Sequence, residues 1–108
     1  MRILKPGMSF REVSEKSWPI PDEFLSNRYS SMIHGVGLAD EYPASLYVED
    51  YLKGSGYDGI LEPGMTICIE SYIGEVGGDE GVKLEEQVLI TDTGVEVLSK
   101  YPFEKALL

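Results

Sequence analysis

The stretch ESYIGEVGGDEGVKLEE, from Glu70 to Glu86, has a Gly-Gly pair at its centre and β-rich sequence on both sides. A fold at Gly77-Gly78 makes it a β-hairpin and sets Glu70 opposite Glu85. Directly opposed residues of an antiparallel pair share one face of the sheet, with Cβ atoms roughly 4.5–5.5 Å apart. Two carboxylates at that spacing repel each other unless a proton or a cation lies between them. The hairpin therefore predicts half of a metal site.

The same count selects Glu85 rather than its neighbour Glu86, because successive side chains of a strand point to opposite faces. Glu86 shares its face with the apolar residues of the strand, which are Val82, Leu84, Val88 and Ile90. A bulge or a longer loop would shift the register by one residue and turn Glu85 away. An exposed hairpin that carries scattered surface acids is therefore the alternative interpretation.

The chain has one histidine, His34, in the segment MIHGVGL. It follows an apolar run and precedes two glycines, which let backbone and ligands approach closely. A lone histidine is more often a core or surface residue than a ligand. Together with two facing carboxylates in a small acidic chain, however, its imidazole makes a plausible set of metal donors.

Composition limits the classes of partner. The 108 residues suffice for one small domain, and 9 Lys+Arg against 19 Asp+Glu give a net charge of −10. This charge argues against nucleic acid and anionic membranes, since both would repel the chain, and is compatible with cations. The single cysteine, Cys68, excludes an internal disulfide, indicates a reducing compartment and is interpreted as an inert buried thiol. Without a membrane span or a signal-peptide core, we expect a cytoplasmic protein.

Local patterns predict an α+β fold, with helices first and an antiparallel sheet afterwards. Ser9 and Glu12 form a capping box at the start of a helix whose inner face carries Phe10, Val13 and either Ser17 or Trp18. A second short helix is predicted near Pro21. The segments YSSMIHGVGL, MTICIESYI, VKLEEQVLIT and DTGVEVL are predicted to contain strands, and residues 39–59 a long loop.

Three ordered motifs, HGVGLADEYP, LEPGMTICIE and GVKLEEQVLITDTG, resemble those of the pita-bread metalloenzyme family. This family includes methionine and Xaa-Pro aminopeptidases, prolidase, creatinase and a branch of dimethylsulfoniopropionate lyases. The similarity implies that residues 1–108 form a single segment, the C-terminal part of a pita-bread catalytic domain. It also implies that His34, Glu70 and Glu85 are three of the family's five metal ligands, for Fe, Mn, Co or Zn.

The chain departs from the family pattern in two respects. The other two ligands of the family are aspartates on a strand that precedes this segment, and no residue here replaces them. We therefore expect that an upstream half is missing, and that the chain alone binds metal weakly and catalyses little. We also expect the uncovered sheet to favour a homo-oligomer or association with the missing half.

The second departure is the lack of another histidine, which the peptidases carry shortly after the metal-binding one. Asp40 stands six residues after His34. This pattern resembles the dimethylsulfoniopropionate lyases, in which an aspartate at that position removes a proton and starts β-elimination in a small zwitterion. Two alternatives remain: hydrolysis of Xaa-Pro peptides or another small amide, and a truncated domain that binds metal without catalysis.

Overall fold

The computed structural model describes residues 2–107, which form nine elements of secondary structure. In chain order these are α1 (Phe10–Lys16), α2 (Asp22–Leu25), β1 (Ile33–Gly35), β2 (Ala44–Ser45), α3 (Val48–Leu52), β3 (Thr66–Gly74), β4 (Gly81–Ile90), β5 (Val95–Val97) and a 3-10 turn at Lys105–Leu107. The five strands make one antiparallel sheet in the order β2-β1-β3-β4-β5. The predicted α+β class is therefore confirmed.

The hairpin of β3 and β4 has the predicted register. Glu70 is paired with Glu85, and the ladder continues from there to the pair Gly74 and Gly81. Residues 75–80 form the connecting turn, in which Gly77 adopts a positive φ of 79°. No β-bulge interrupts the pairing of β3 with β4, so the alternation of side chains carries the predicted faces along both strands.

Helix α1 begins as predicted. The Glu12 N–H donates a hydrogen bond of 3.0 Å to the Ser9 side chain, which caps the helix. Phe10 and Val13 enter the main apolar core. Of the two alternatives for the third residue of that face, Ser17 is partly buried, whereas Trp18 lies beyond the end of α1 and is 65% exposed. The core residues are Leu4, Met8, Phe10, Val13, Ile33, Leu61, Ile67, Val88 and Ile90.

The prediction of an unstructured loop at residues 39–59 is wrong, because β2 and α3 lie within it. Strand β2 exists through its pairing with β1, where Ala44 is opposite His34. Helix α3 has no side-chain cap at its start. It is attached through Asp50, which accepts hydrogen bonds of 2.6 and 2.7 Å from Arg28. A helix also follows the first strands here, so the helices are not all N-terminal to the sheet.

Close packing at Gly35 fixes the end of β1. A Cβ atom at this position would lie 2.2 Å from the Tyr42 carbonyl oxygen and 2.7 Å from Pro43 Cδ. Only glycine fits so near a crossing backbone. The Gly35 N–H also donates a hydrogen bond of 2.7 Å to the Pro43 carbonyl. The residue after His34 is therefore locked in place.

An apolar groove of about 470 Å³ runs between α1 and the sheet. Its lining includes Leu4, Val13, Trp18, Ile20, Ile33 and Ile69. Across residues 2–107, the helices are all too short or too polar to cross a membrane.

Candidate metal centre

The three predicted ligands lie on three neighbouring strands. His34 is on β1, Glu70 on β3 and Glu85 on β4. Glu70 pairs directly with Glu85, and His34 pairs with Cys68, two residues before Glu70 on the same strand. Since paired residues share a face and alternate residues of a strand share it too, all four side chains project from one side of the sheet.

The side chains converge on His34 Nε2. This atom lies 3.0 Å from Glu70 Oε2 and 3.6 Å from Glu85 Oε1. The other ring nitrogen, Nδ1, lies 3.0 Å from the Gly35 carbonyl oxygen, which can only accept a hydrogen bond. Nδ1 therefore carries a proton and donates it to Gly35, an arrangement that fixes the orientation of many ligating histidines. The Nε2 position facing the carboxylates is left for a second proton or a metal ion.

The distances fit a divalent transition metal. Nitrogen and oxygen ligands lie roughly 2.0–2.2 Å from such an ion, so neighbouring ligands of one ion are about 3.0–3.4 Å apart. The separations of 3.0 and 3.6 Å from His34 Nε2 lie in or near this interval. The two carboxylates are not equivalent, because the Glu70 side chain is 1% exposed and the Glu85 side chain 41% exposed. Of these two candidate donors, the Glu70 side chain is therefore held in place, whereas the Glu85 side chain can move.

Lys83 supplies a positive charge to the buried carboxylate. Its ammonium group forms an ion pair with Glu70 Oε1, and this contact raises the pKa of Lys83. The ammonium group also lies 4.5 Å from the centre of the Tyr29 ring. One oxygen of Glu70 thus faces His34 and the other faces Lys83. The Lys83 ammonium group compensates the buried charge, as burial of a carboxylate requires.

Cys68 lies in the same cluster. Ligand atoms of His34, Cys68 and Glu85 are all within 4.8 Å of one another. Burial, together with a hydrogen bond to Glu85, raises the pKa of the Cys68 thiol to about 12. The predicted burial of this thiol is confirmed, at 7% exposure, but its place beside His34, which depends on the pairing of β1 with β3, was not predicted from the sequence. The available signal was that Cys68 and Glu70 stand two residues apart on one strand.

The candidate base Asp40 lies outside this cluster, on an exposed turn after β1. It has a positive φ of 57°, and its N–H donates a hydrogen bond of 3.1 Å to the Gly37 carbonyl. The next residue, Glu41, accepts a hydrogen bond of 3.2 Å from the Tyr29 hydroxyl, which raises the pKa of Tyr29. Through Tyr29 and Lys83, Glu41 is connected to the buried carboxylate.

The family is shown by sequence comparison. The model of metallopeptidase family M24 matches residues 1–92. The chain belongs to metallopeptidase family M24. As a member of M24 it carries a possible His/Cys/Glu metal-binding group, in keeping with the metal dependence of the family.

Among curated M24 relatives, the chain is 48% identical to the dimethylsulfoniopropionate lyase DddP of Roseovarius nubinhibens. The 108 matched residues are 100% of this chain and 24% of that protein. It is 36% identical to the Xaa-Pro dipeptidase of Pyrococcus furiosus, over 89% of this chain and 26% of that protein. The chain therefore spans about a quarter of the length of the curated relatives it matches.

Solved M24 structures share the fold. The Xaa-Pro dipeptidase from Bacillus anthracis superimposes with a TM-score of 0.67 at 29% identity, over 95% of this chain and 27% of that one. The prolidase from Pyrococcus furiosus gives a TM-score of 0.64 at 34% identity, over 92% of this chain and 28% of the prolidase chain. The resemblance to pita-bread enzymes found in the motifs is confirmed.

Proposed function

We propose that this chain is the metal-binding part of a larger M24 enzyme, and that His34, Glu70 and Glu85 hold a divalent transition metal ion. The observation that carries the proposal is the convergence of both carboxylates on His34 Nε2, at 3.0 and 3.6 Å. This set of nitrogen and oxygen donors suits Fe, Mn, Co or Zn. When bound, the metal supplies Lewis-acid polarisation of the substrate.

The reaction we propose is cleavage of a carbon–sulfur bond in a small sulfonium zwitterion of the dimethylsulfoniopropionate type. Two observations support it. Identity to the dimethylsulfoniopropionate lyase of Roseovarius nubinhibens is 48% across the whole chain, against 36% for the Xaa-Pro dipeptidase of Pyrococcus furiosus. The chain also has a single histidine, so it lacks the second histidine that peptidases with these motifs carry shortly after the metal-binding one.

Asp40 is the proposed general base. Its carboxylate takes a proton from the carbon next to the substrate carboxylate, and the electron pair of that C–H bond forms the new double bond. The carbon–sulfur bond breaks at the same time, and its electron pair leaves with sulfur as dimethyl sulfide. No oxidant or reductant is needed, because the sulfonium is itself the leaving group. Asp40 stands on a short exposed turn, where an incoming substrate can reach it.

Hydrolysis of Xaa-Pro peptides is the second candidate. The observation in its favour is structural: the B. anthracis and P. furiosus proteins, with TM-scores of 0.67 and 0.64, are both named for this activity. The two candidates use the same metal donors and differ in the group that handles the proton. Asp40 is central to the first and dispensable for the second.

The rest of the catalytic unit is proposed to cover the apolar groove between α1 and the sheet. The chain spans about a quarter of the length of its curated relatives, and the groove exposes the side chains of Trp18 and Ile3. A second copy of the chain is the alternative cover. Sedimentation velocity distinguishes them: a chain that remains monomeric at high concentration excludes the second copy.

The reaction is tested on the longest natural protein that contains this chain, purified with its metal. Release of dimethyl sulfide from dimethylsulfoniopropionate is compared with release of proline from Xaa-Pro dipeptides. The variant Asp40→Asn should abolish dimethyl sulfide release without changing metal content, whereas the matched control Asp92→Asn, at an exposed aspartate, should retain activity. Unchanged release by Asp40→Asn would remove the proposed base, and proline release without dimethyl sulfide would establish the second candidate.

A further inference from the structure

Cys68 occupies a position that the proposed metal set does not explain. In the register of β1 and β3 it is the direct partner of His34, and on β3 it stands two residues before Glu70. Its sulfur and ligand atoms of His34 and Glu85 lie within 4.8 Å of one another. The chain thus brings an imidazole, a thiol and a carboxylate together on one side of the sheet.

The backbone holds two of these donors, and the third can move. His34 and Cys68 are 6% and 7% exposed, and the antiparallel pairing fixes their spacing. Glu85, whose side chain is 41% exposed, has room to change rotamer. Of the three donors, Glu85 therefore has the most freedom to adjust its position around an ion.

Glu70 adds a second carboxylate beside this cluster. Its side chain is 1% exposed, its Oε1 forms an ion pair with Lys83, and its Oε2 faces His34. Glu70 adjoins the His34, Cys68 and Glu85 cluster through its contact with His34 Nε2, at 3.0 Å.

We propose that Cys68 is a further metal ligand beside His34, Glu70 and Glu85, so that the site presents nitrogen, sulfur and oxygen donors and favours Zn²⁺ or Co²⁺ over Mn²⁺. This inference rests on the proposed metal-binding function and narrows the choice of metal. Thiolate is a soft donor, which zinc and cobalt accept more readily than manganese does. On binding, the S–H bond breaks, its proton leaves to solvent, and sulfur donates the remaining electron pair to the ion without any oxidation.

Cobalt spectroscopy on the 108-residue chain tests the proposal. Co²⁺ bound by a thiolate shows a sulfur-to-metal charge-transfer band in the near ultraviolet, and Cys68 is the only cysteine in the chain. We expect this band to appear as Co²⁺ is added and to be absent from Cys68→Ser. If visible d–d bands show that Co²⁺ binds without the charge-transfer band, Cys68 is not a ligand and the proposed function still holds.

Affinity measurements separate a ligand role from a structural one. Cys68→Ser should weaken Zn²⁺ binding by about tenfold or more and leave Mn²⁺ binding within about twofold, because only the soft metal gains from sulfur. Cys68→Ala, checked for folding by circular dichroism, should behave in the same way. Equal losses for both metals would overturn the proposal. No binding of Zn²⁺, Co²⁺ or Mn²⁺ by the wild-type chain would overturn both the proposal and the metal-binding function.

Discussion

Glu70 and Glu85 face each other across β3 and β4, one side chain buried and the other partly open to solvent. Like charges directly opposed on a sheet are destabilising, so this pair needs a positive group between or beside its members. In the described part of the chain, the Lys83 ammonium group, which is ion-paired with Glu70 Oε1, provides such a group. A divalent cation bound between the two carboxylates would provide further compensation.

The ion pair between Lys83 and Glu70 predicts a trade between stability and metal affinity. In Lys83→Met the buried carboxylate loses its ammonium partner, so the metal-free chain should unfold at a lower urea concentration. Zn²⁺ should bind more tightly to this variant, because no ammonium group competes for Glu70 Oε1. Urea titrations with and without Zn²⁺ measure both effects. Lys53→Met, at an exposed lysine, is the control, and a similar response in that variant would contradict the prediction.

The close approach at Gly35 predicts a strong contrast between two glycines. Gly35→Ala places a methyl group against the Tyr42 carbonyl, a backbone atom that cannot rotate away. We expect a loss of about 1–3 kcal/mol in the free energy of unfolding, as for overpacked sites. Gly37→Ala meets no atom within 4 Å and should cost less than about 0.5 kcal/mol. Chemical denaturation of both variants checks this, and equal costs would show that the crowding is absent.

The buried thiol predicts a loss of stability at alkaline pH. The pKa of Cys68 is raised from its ordinary value of 9.0 to about 12. Between these values the unfolded chain has lost the thiol proton while the folded chain keeps it, so the free energy of unfolding falls as pH rises. This contribution is fully present below pH 9. Urea unfolding at pH 8 and pH 10, with chelator present, should show a smaller fall for Cys68→Ala than for the wild type. Identical falls would mean that the thiol ionises normally in the folded chain.

The hairpin could be predicted from the sequence because its information is local. The Gly-Gly pair fixes the turn, and a two-residue period then decides which glutamates face each other. Helix α1 was predictable for a similar reason, since Ser9 and Glu12 lie within one turn of helix. In both cases the deciding contacts join residues close together in the chain.

The missed features depend on distant contacts. Strand β2 has two residues and forms only by pairing with β1, and α3 has five residues and no side-chain cap. Neither is long enough to leave a periodic pattern in the sequence. The place of Cys68 beside His34 likewise depends on the pairing of β1 with β3, strands that no short turn connects. Sequence patterns predicted β1, β3, β4 and β5 and the pairing of β3 with β4, but neither β2 nor the pairing of β1 with β3.

Metal binding by variants at two adjacent residues tests the proposed metal site most directly. Glu85 and Glu86 are neighbours on β4, and only Glu85 lies on the face that carries His34 and Glu70. Isothermal titration of the chain with Zn²⁺ should show that Glu85→Gln weakens binding by about tenfold or more, while Glu86→Gln stays within about twofold of the wild type. Equal weakening by the two variants, or a wild-type chain that binds no metal, would contradict the account.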